Sequence, residues 1–87
     1  MKYKIIFDRL AQKFIKKQSK DIQYKIISAT KKLADNPFPV GVKKLKGRGD
    51  VFRIRVGDYR IIYQVRNGEL LILVLKIGHR RDVYLGF

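Results

Sequence analysis

Cysteine and tryptophan are absent from the 87 residues, and histidine occurs once. Without cysteine there are neither disulfides nor thiolate metal ligands, so a reducing cytoplasm is the expected setting. Acidic side chains are scarce as well: 7 Asp plus Glu stand against 21 Lys plus Arg, a formal net charge of +14. No carboxylate pair, metal-ligand set or nucleophile triad can be picked out, so neither a metal nor another cofactor is expected and metal-dependent nuclease chemistry is disfavoured. The apolar run in "MKYKIIFDRL" is too short for a signal peptide core or a membrane span, and a membrane partner is not expected. Linkers, repeats and low-complexity tracts are missing too.

What is present is a 46% hydrophobic chain, enough for one core and against disorder. The length suits one domain spanning residues 1–87. A small domain so one-sided in charge repels itself and suits a polyanion or an acidic protein as partner.

"YKIIF" reads as a strand, followed by Asp8 as a helix N-cap and apolar positions at helical spacing to about Gln18. Ser19 caps a second helix whose stripe is Ile22, Ile26, Ala29, Thr30 and Leu33, ending before Pro37. After a loop come strands at Val51–Val56, Tyr59–Arg66 and Glu69–Ile77. Gly57-Asp58 and Asn67-Gly68 are two-residue hairpin signals that join these three into a meander. The expectation is an α+β fold of order βααβββ: an antiparallel sheet with a two-helix hairpin packed on one face. The first strand joins at an edge, beside the fourth.

Counting back from Gly57-Asp58 places Arg55 opposite Arg60 and Arg53 opposite Ile62. Alternation sends Phe52, Ile54, Val56, Tyr59, Ile61 and Tyr63 to the core face and Arg53, Arg55 and Arg60 to the other. Directly opposed arginines repel by about 1 to 3 kcal/mol, so folding alone gives no reason for the pair. Counting from Asn67-Gly68 places Arg60 opposite Leu75, Ile62 opposite Leu73 and Gln64 opposite Leu71. The arginines then border an apolar strip of Ile62, Leu71, Leu73 and Leu75 that little of the remaining chain can cover, and which suits a protein partner. The tail "GHRRDVYLGF" adds His79, Arg80, Arg81 and Tyr84. Arginines hold phosphate charge, while histidine and tyrosine can move protons, a combination suited to phosphodiester chemistry. Each piece also has a plain structural use: a basic strand face as solvated surface, a lone histidine as incidental, "KKLKGRG" as an ordinary basic loop.

"KKLKGRGDVFRIRVGDYRIIYQV" followed by "LVLKIGHRRDVY" resembles the RelE branch of the RelE/ParE toxins of prokaryotic toxin–antitoxin systems. The resemblance extends over nearly the whole chain and is specific as a set. It implies a metal-independent endoribonuclease that enters the ribosomal A site and cuts mRNA, the 2′-hydroxyl attacking the adjacent phosphate. By position, Arg53, Arg55, Arg60, Arg80 and Tyr84 match the family's working residues, with Arg81 a rival for Arg80. The spacing of "HRRDVY" is shorter than in the best-known branch, which makes His79 a competing proton-transfer group. Lys43, Lys44, Lys46 and Arg48 would contact RNA. The implied partners are the ribosome, mRNA and an acidic RelB-like antitoxin lying over the basic face and the apolar strip. A ParE-like inhibitor of DNA gyrase, or a simple nucleic-acid-binding module, are the other readings.

Overall fold

Alternating and helical apolar spacing both translate into elements in the computed structural model, which describes residues 2–47 and 49–83. Strand β1 is Lys4–Phe7, followed by helices α1, Arg9–Lys16, and α2, Lys20–Leu33. Four strands come next: β2, Lys43–Lys44; β3, Val51–Val56; β4, Tyr59–Arg66; β5, Leu71–His79. They form one sheet of order β1-β5-β4-β3-β2. β1 lies beside β5 as expected, but parallel to it, so the sheet is mixed rather than antiparallel. The two-residue β2, expected as loop, pairs with β3 and makes the order βααββββ.

The helices are held as the sequence suggests. Ser19 Oγ accepts a 3.4 Å bond from Ile22 N. Asp8 occupies the N-cap position of α1 without a side-chain cap bond. Ile26, Thr30 and Leu33 of α2 and Ala11 of α1 are buried. They meet Ile54, Ile61, Tyr63, Val65, Ile72, Val74 and Ile77, which line one sheet face. Full burial of each large side chain is worth about 1.5–3 kcal/mol. Tyr63 lies wholly inside and donates its hydroxyl to Pro37 O at 2.6 Å, tying the loop after α2 to the sheet. Burial pushes its phenol well above the ordinary tyrosine range.

The first hairpin has the predicted register, Arg55 opposite Arg60 and Arg53 opposite Ile62. Gly57 has φ +59°, the positive value a tight hairpin needs at its first turn residue. The second hairpin differs. Asn67–Glu69 form a 3₁₀ turn and Leu70 adopts φ +49°, so Arg66 pairs with Leu71 across four residues instead of two. A bulge between Ile62 and Tyr63 adds one further step. Gln64 therefore faces Leu73, Ile62 faces Lys76 and Arg60 faces Gly78, in place of the expected leucines. The cause is tertiary. Tyr3 donates its hydroxyl to Asn67 Oδ1 at 2.6 Å, and Leu70 O accepts from Lys4 N at 2.8 Å. The wider turn supplies the acceptors that hold β1 in place.

Candidate functional site

The sheet face away from the helices carries the arginines. Val51, Arg53 and Arg55 alternate along β3, and Arg60 and Ile62 stand opposite on β4. Lys43 is opposite Arg53 on β2, which extends the cationic row to the sheet edge. Lys44 is one residue on and so on the helix side, opposite Phe52. Lys46 is exposed in the turn that follows.

The three arginines differ in environment. Arg55 is exposed. Arg60 is half-buried and its Nη1 donates to Gly57 O at 3.3 Å and Tyr59 O at 3.1 Å. Folding that guanidinium back on its own hairpin answers the opposition between Arg55 and Arg60. Arg53 is only 5% exposed, and among the described residues its Nε and Nη1 have no hydrogen-bond partner. A buried charged donor left unbonded destabilises a fold, by more than the ~1–3 kcal/mol of a neutral group. Such a group is one to which an anion can bring bonds that the described residues do not provide.

The apolar strip is smaller than expected. Val83 folds back over the open face and is fully buried in a second, minor core with Val51 and Ile62, packed by Leu45 and Leu75. Ile62 itself is 0% exposed, so its expected contact with a partner is corrected: it is already covered by this chain. Leu71, Leu73 and Leu75 remain half-buried. The fold-back depends on Gly78, since a Cβ there would lie 3.3 Å from Val83 Cα. It also depends on Arg80 N, which donates to Asp58 O at 2.9 Å beside the first hairpin's tip. Nothing in the spacing of "GHRRDV" pointed to Val83 as core. The glycine ending an apolar strand was the available signal.

Arg80 and Arg81 are exposed in this turn, which the Arg80 N–Asp58 O bond brings to the hairpin tip that carries Arg60. His79 is not grouped with the arginines. It pairs with Tyr59, and its ring meets Tyr59 edge-on at 6.1 Å, on the side that bears the helices. Tyr84 and Arg48 lie outside the described residues. Among the described residues no three His, Asp or Glu side chains converge as a metal site would require. No described helix is long and apolar enough to cross a membrane.

Comparison with known proteins gives this face its context. Residues 2–84 match the family model described as the ParE toxin of type II toxin–antitoxin systems. A RelE-like toxin protein of Escherichia coli is 36% identical, with 97% of this chain and 92% of that protein aligned. The chain belongs to the RelE/ParE toxin family. Within that family it is RelE-like in fold. The RelE–RelB complex of Pyrococcus horikoshii OT3 superposes with a TM-score of 0.82 at 30% identity, covering 95% of this chain and 100% of that one. The RelB–RelE antitoxin–toxin complex of Methanococcus jannaschii gives 0.73 at 26% identity, covering 94% and 98%. The chain is thus a RelE-like toxin of a type II toxin–antitoxin system.

Proposed function

We propose that this toxin is a ribosome-dependent endoribonuclease that cuts mRNA in the A site. The observation that carries the reading is the buried Arg53 guanidinium, its Nε and Nη1 unbonded among the described residues, in a row with Lys43 and beside Arg55 and Arg60. Together they form a cationic face on which no carboxylate of the described residues bonds to Arg53. In the reaction the RNA 2′-oxygen bonds to the adjacent phosphorus and the P–O5′ bond breaks. The attacking hydroxyl gives up its proton and the departing 5′-oxygen gains one, leaving a cyclic phosphate and a 5′-hydroxyl. Arg53 and Arg55 would hold the phosphoryl oxygens, with Arg60, Arg80 and Arg81 closing around the charge that builds on them. Preorganised donors of this kind contribute a few kcal/mol each to transition-state stabilisation. Tyr84 or His79 would move the proton, and the position of His79 on the helix side favours Tyr84. The ribosome would align the 2′-hydroxyl with the phosphate, a positioning effect worth up to about 7–11 kcal/mol in well-oriented systems.

The cytoplasm is where such a toxin would act, and its partner would be an acidic RelB-like antitoxin. RelE–RelB complexes among the structural relatives support that partner. Lys43 and Lys46 would follow the RNA backbone at the sheet edge.

Mapping of mRNA ends in a translation extract tests the reading. Cuts within A-site codons, ending in cyclic phosphate and absent from naked RNA, are expected. Equal cleavage of free and translated RNA would overturn the ribosome dependence. An intact mRNA pool with accumulating gyrase–DNA complexes would overturn the nuclease reading in favour of a ParE-like inhibitor of DNA gyrase.

A further inference from the structure

A cleft of about 550 Å³ opens between α2 and the outer end of β3, on the edge of the sheet remote from β1. Its floor is Ile54, Val56 and Leu33, and its rim carries Lys25, Lys32 and Arg55. No acidic residue lines it. Two of the chain's most exposed large apolar side chains, Tyr24 at 75% and Val40, fully exposed, flank it.

The strand edge in this cleft is open. Val51 O accepts from Leu45 N on the β2 side. Backbone groups alternate direction along a strand, so Arg53 and Arg55 present their N–H and C=O to that side as well. β2 begins at Lys43, opposite Arg53, and the chain before it turns at Gly41, φ +90°. Among the described residues, no strand pairs with Arg55 on this side.

We propose that this cleft is a docking site for an extended, acidic segment of a partner protein, one that alternates carboxylate and apolar side chains. Its backbone would pair with the free N–H and C=O of Arg55. Its apolar side chains would fill the floor over Ile54 and Val56. Its carboxylates, on the other face of the added strand, would meet the Arg55 side chain, and the positive field of Lys25 and Lys32 would favour the segment's overall negative charge. The charge of the rim excludes a second copy of this chain, itself +14, and the apolar floor is unsuited to an RNA backbone. Because Arg55 also belongs to the cationic face, an occupant would hold one of the phosphate-binding arginines from the sheet edge. The proposal rests on the reading of the chain as a toxin with an acidic protein partner, and it adds an anchor separate from the leucine strip.

The test uses a pool of octapeptides alternating Glu or Asp with Val, Leu, Ile or Phe, added to the ¹⁵N-labelled full chain. Amide shifts are expected at Ser28, Leu33, Gly41 and Ile54 to Val56. Affinity is expected to fall several-fold as salt rises from about 50 to about 300 mM. Lys32→Glu and the cleft-filling Ser28→Tyr should each weaken binding by about ten-fold, while Leu73→Asp on the other face leaves it unchanged. Shifts confined to Leu71 to Leu75, no binding, or affinity indifferent to both cleft variants would overturn the proposal. The same proteins assayed in the translation extract separate the two readings. Cleavage without peptide binding overturns the cleft alone, and peptide binding without cleavage overturns the nuclease alone.

Discussion

A guanidinium with buried, unbonded N–H groups opposes the fold that carries it, so Arg53 is where stability and activity are expected to move apart. Arg53→Met keeps much of the volume and removes the unsatisfied charge. Unfolding stability should rise by about 1–3 kcal/mol, or several degrees in Tm for a domain of this size, while mRNA cleavage collapses. Thermal melts and a cleavage assay on one preparation decide it, and a variant that loses both together would make Arg53 structural. Its neighbours separate in the same way. Arg55→Ala, exposed and unbonded to the hairpin, should leave stability level or slightly higher. Arg60→Ala forfeits two bonds to Gly57 O and Tyr59 O and should lose about 0.5–1.5 kcal/mol for each made well. The opposed pair was legible from Gly57-Asp58 alone. The burial of Arg53 was not, because it depends on packing of this face that no local pattern encodes. Tyr63 supplies a residue-scale pH dependence. Burial raises its pKa in the folded state, so the contribution is fully present below the unfolded tyrosine value and is lost as pH rises beyond it. Stability should therefore begin to fall above about pH 10, and Tyr63→Phe should flatten that part of the profile. The variant would also cost about 1–3 kcal/mol at neutral pH by stranding Pro37 O.

Among elements, the two hairpins show how far a turn signal reaches. Gly57-Asp58 closes β3 onto β4 as a two-residue turn that keeps its length although Arg80 N bonds to Asp58 O, so counting residues gave the register. Asn67-Gly68 is an equally strong local signal, but Tyr3 and Lys4 donate to Asn67 Oδ1 and Leu70 O, and the turn widens to supply those acceptors. β1 comes from the far end of the chain, which is why its demand could not be read locally. The shift of two residues at the turn leaves Leu71 and Leu73 on the open face, and the bulge keeps Leu75 there beside Lys76. The strip thus survives in part although its pairing was misplaced, and it yields a discriminating pair of variants. Leu73→Asp, half-buried at the surface, should weaken antitoxin binding in a titration while circular dichroism and melting stay near those of the parent. Ile62→Asp would place a carboxylate in the closed cluster with Val51 and Val83 and should unfold or severely destabilise the chain. Leu73→Asp behaving like Ile62→Asp would mean that the strip is core.

At the scale of the molecule, charge and chemistry act over different ranges. The +14 is not confined to the arginine face: α1 and α2 carry Arg9, Lys13, Lys16, Lys20, Lys25, Lys31 and Lys32 on the opposite side. Such a molecule should bind RNA over much of its surface, without reference to sequence and with a steep dependence on salt. For single-stranded RNA the slope of log affinity against log salt approaches about −0.7 for each phosphate neutralised. Cleavage, by contrast, needs one phosphate held in line at Arg53 and Arg55. The two should separate in a salt series. Binding of naked RNA is expected to fall by orders of magnitude between low and physiological salt, with no cleavage at either end. Cleavage of translated mRNA should fall much less, because the ribosome holds the substrate in place of the diffuse charge. A triple charge reversal on the helix side, Lys13→Glu, Lys16→Glu and Lys20→Glu, should lower naked-RNA binding and its salt slope together. It should leave the cut positions on translated mRNA unchanged, since none of those residues lies on the face that carries Arg53, Arg55 and Arg60. Cut sites that move with those reversals would mean that the helices, and not the open face of the sheet, decide where the phosphate sits.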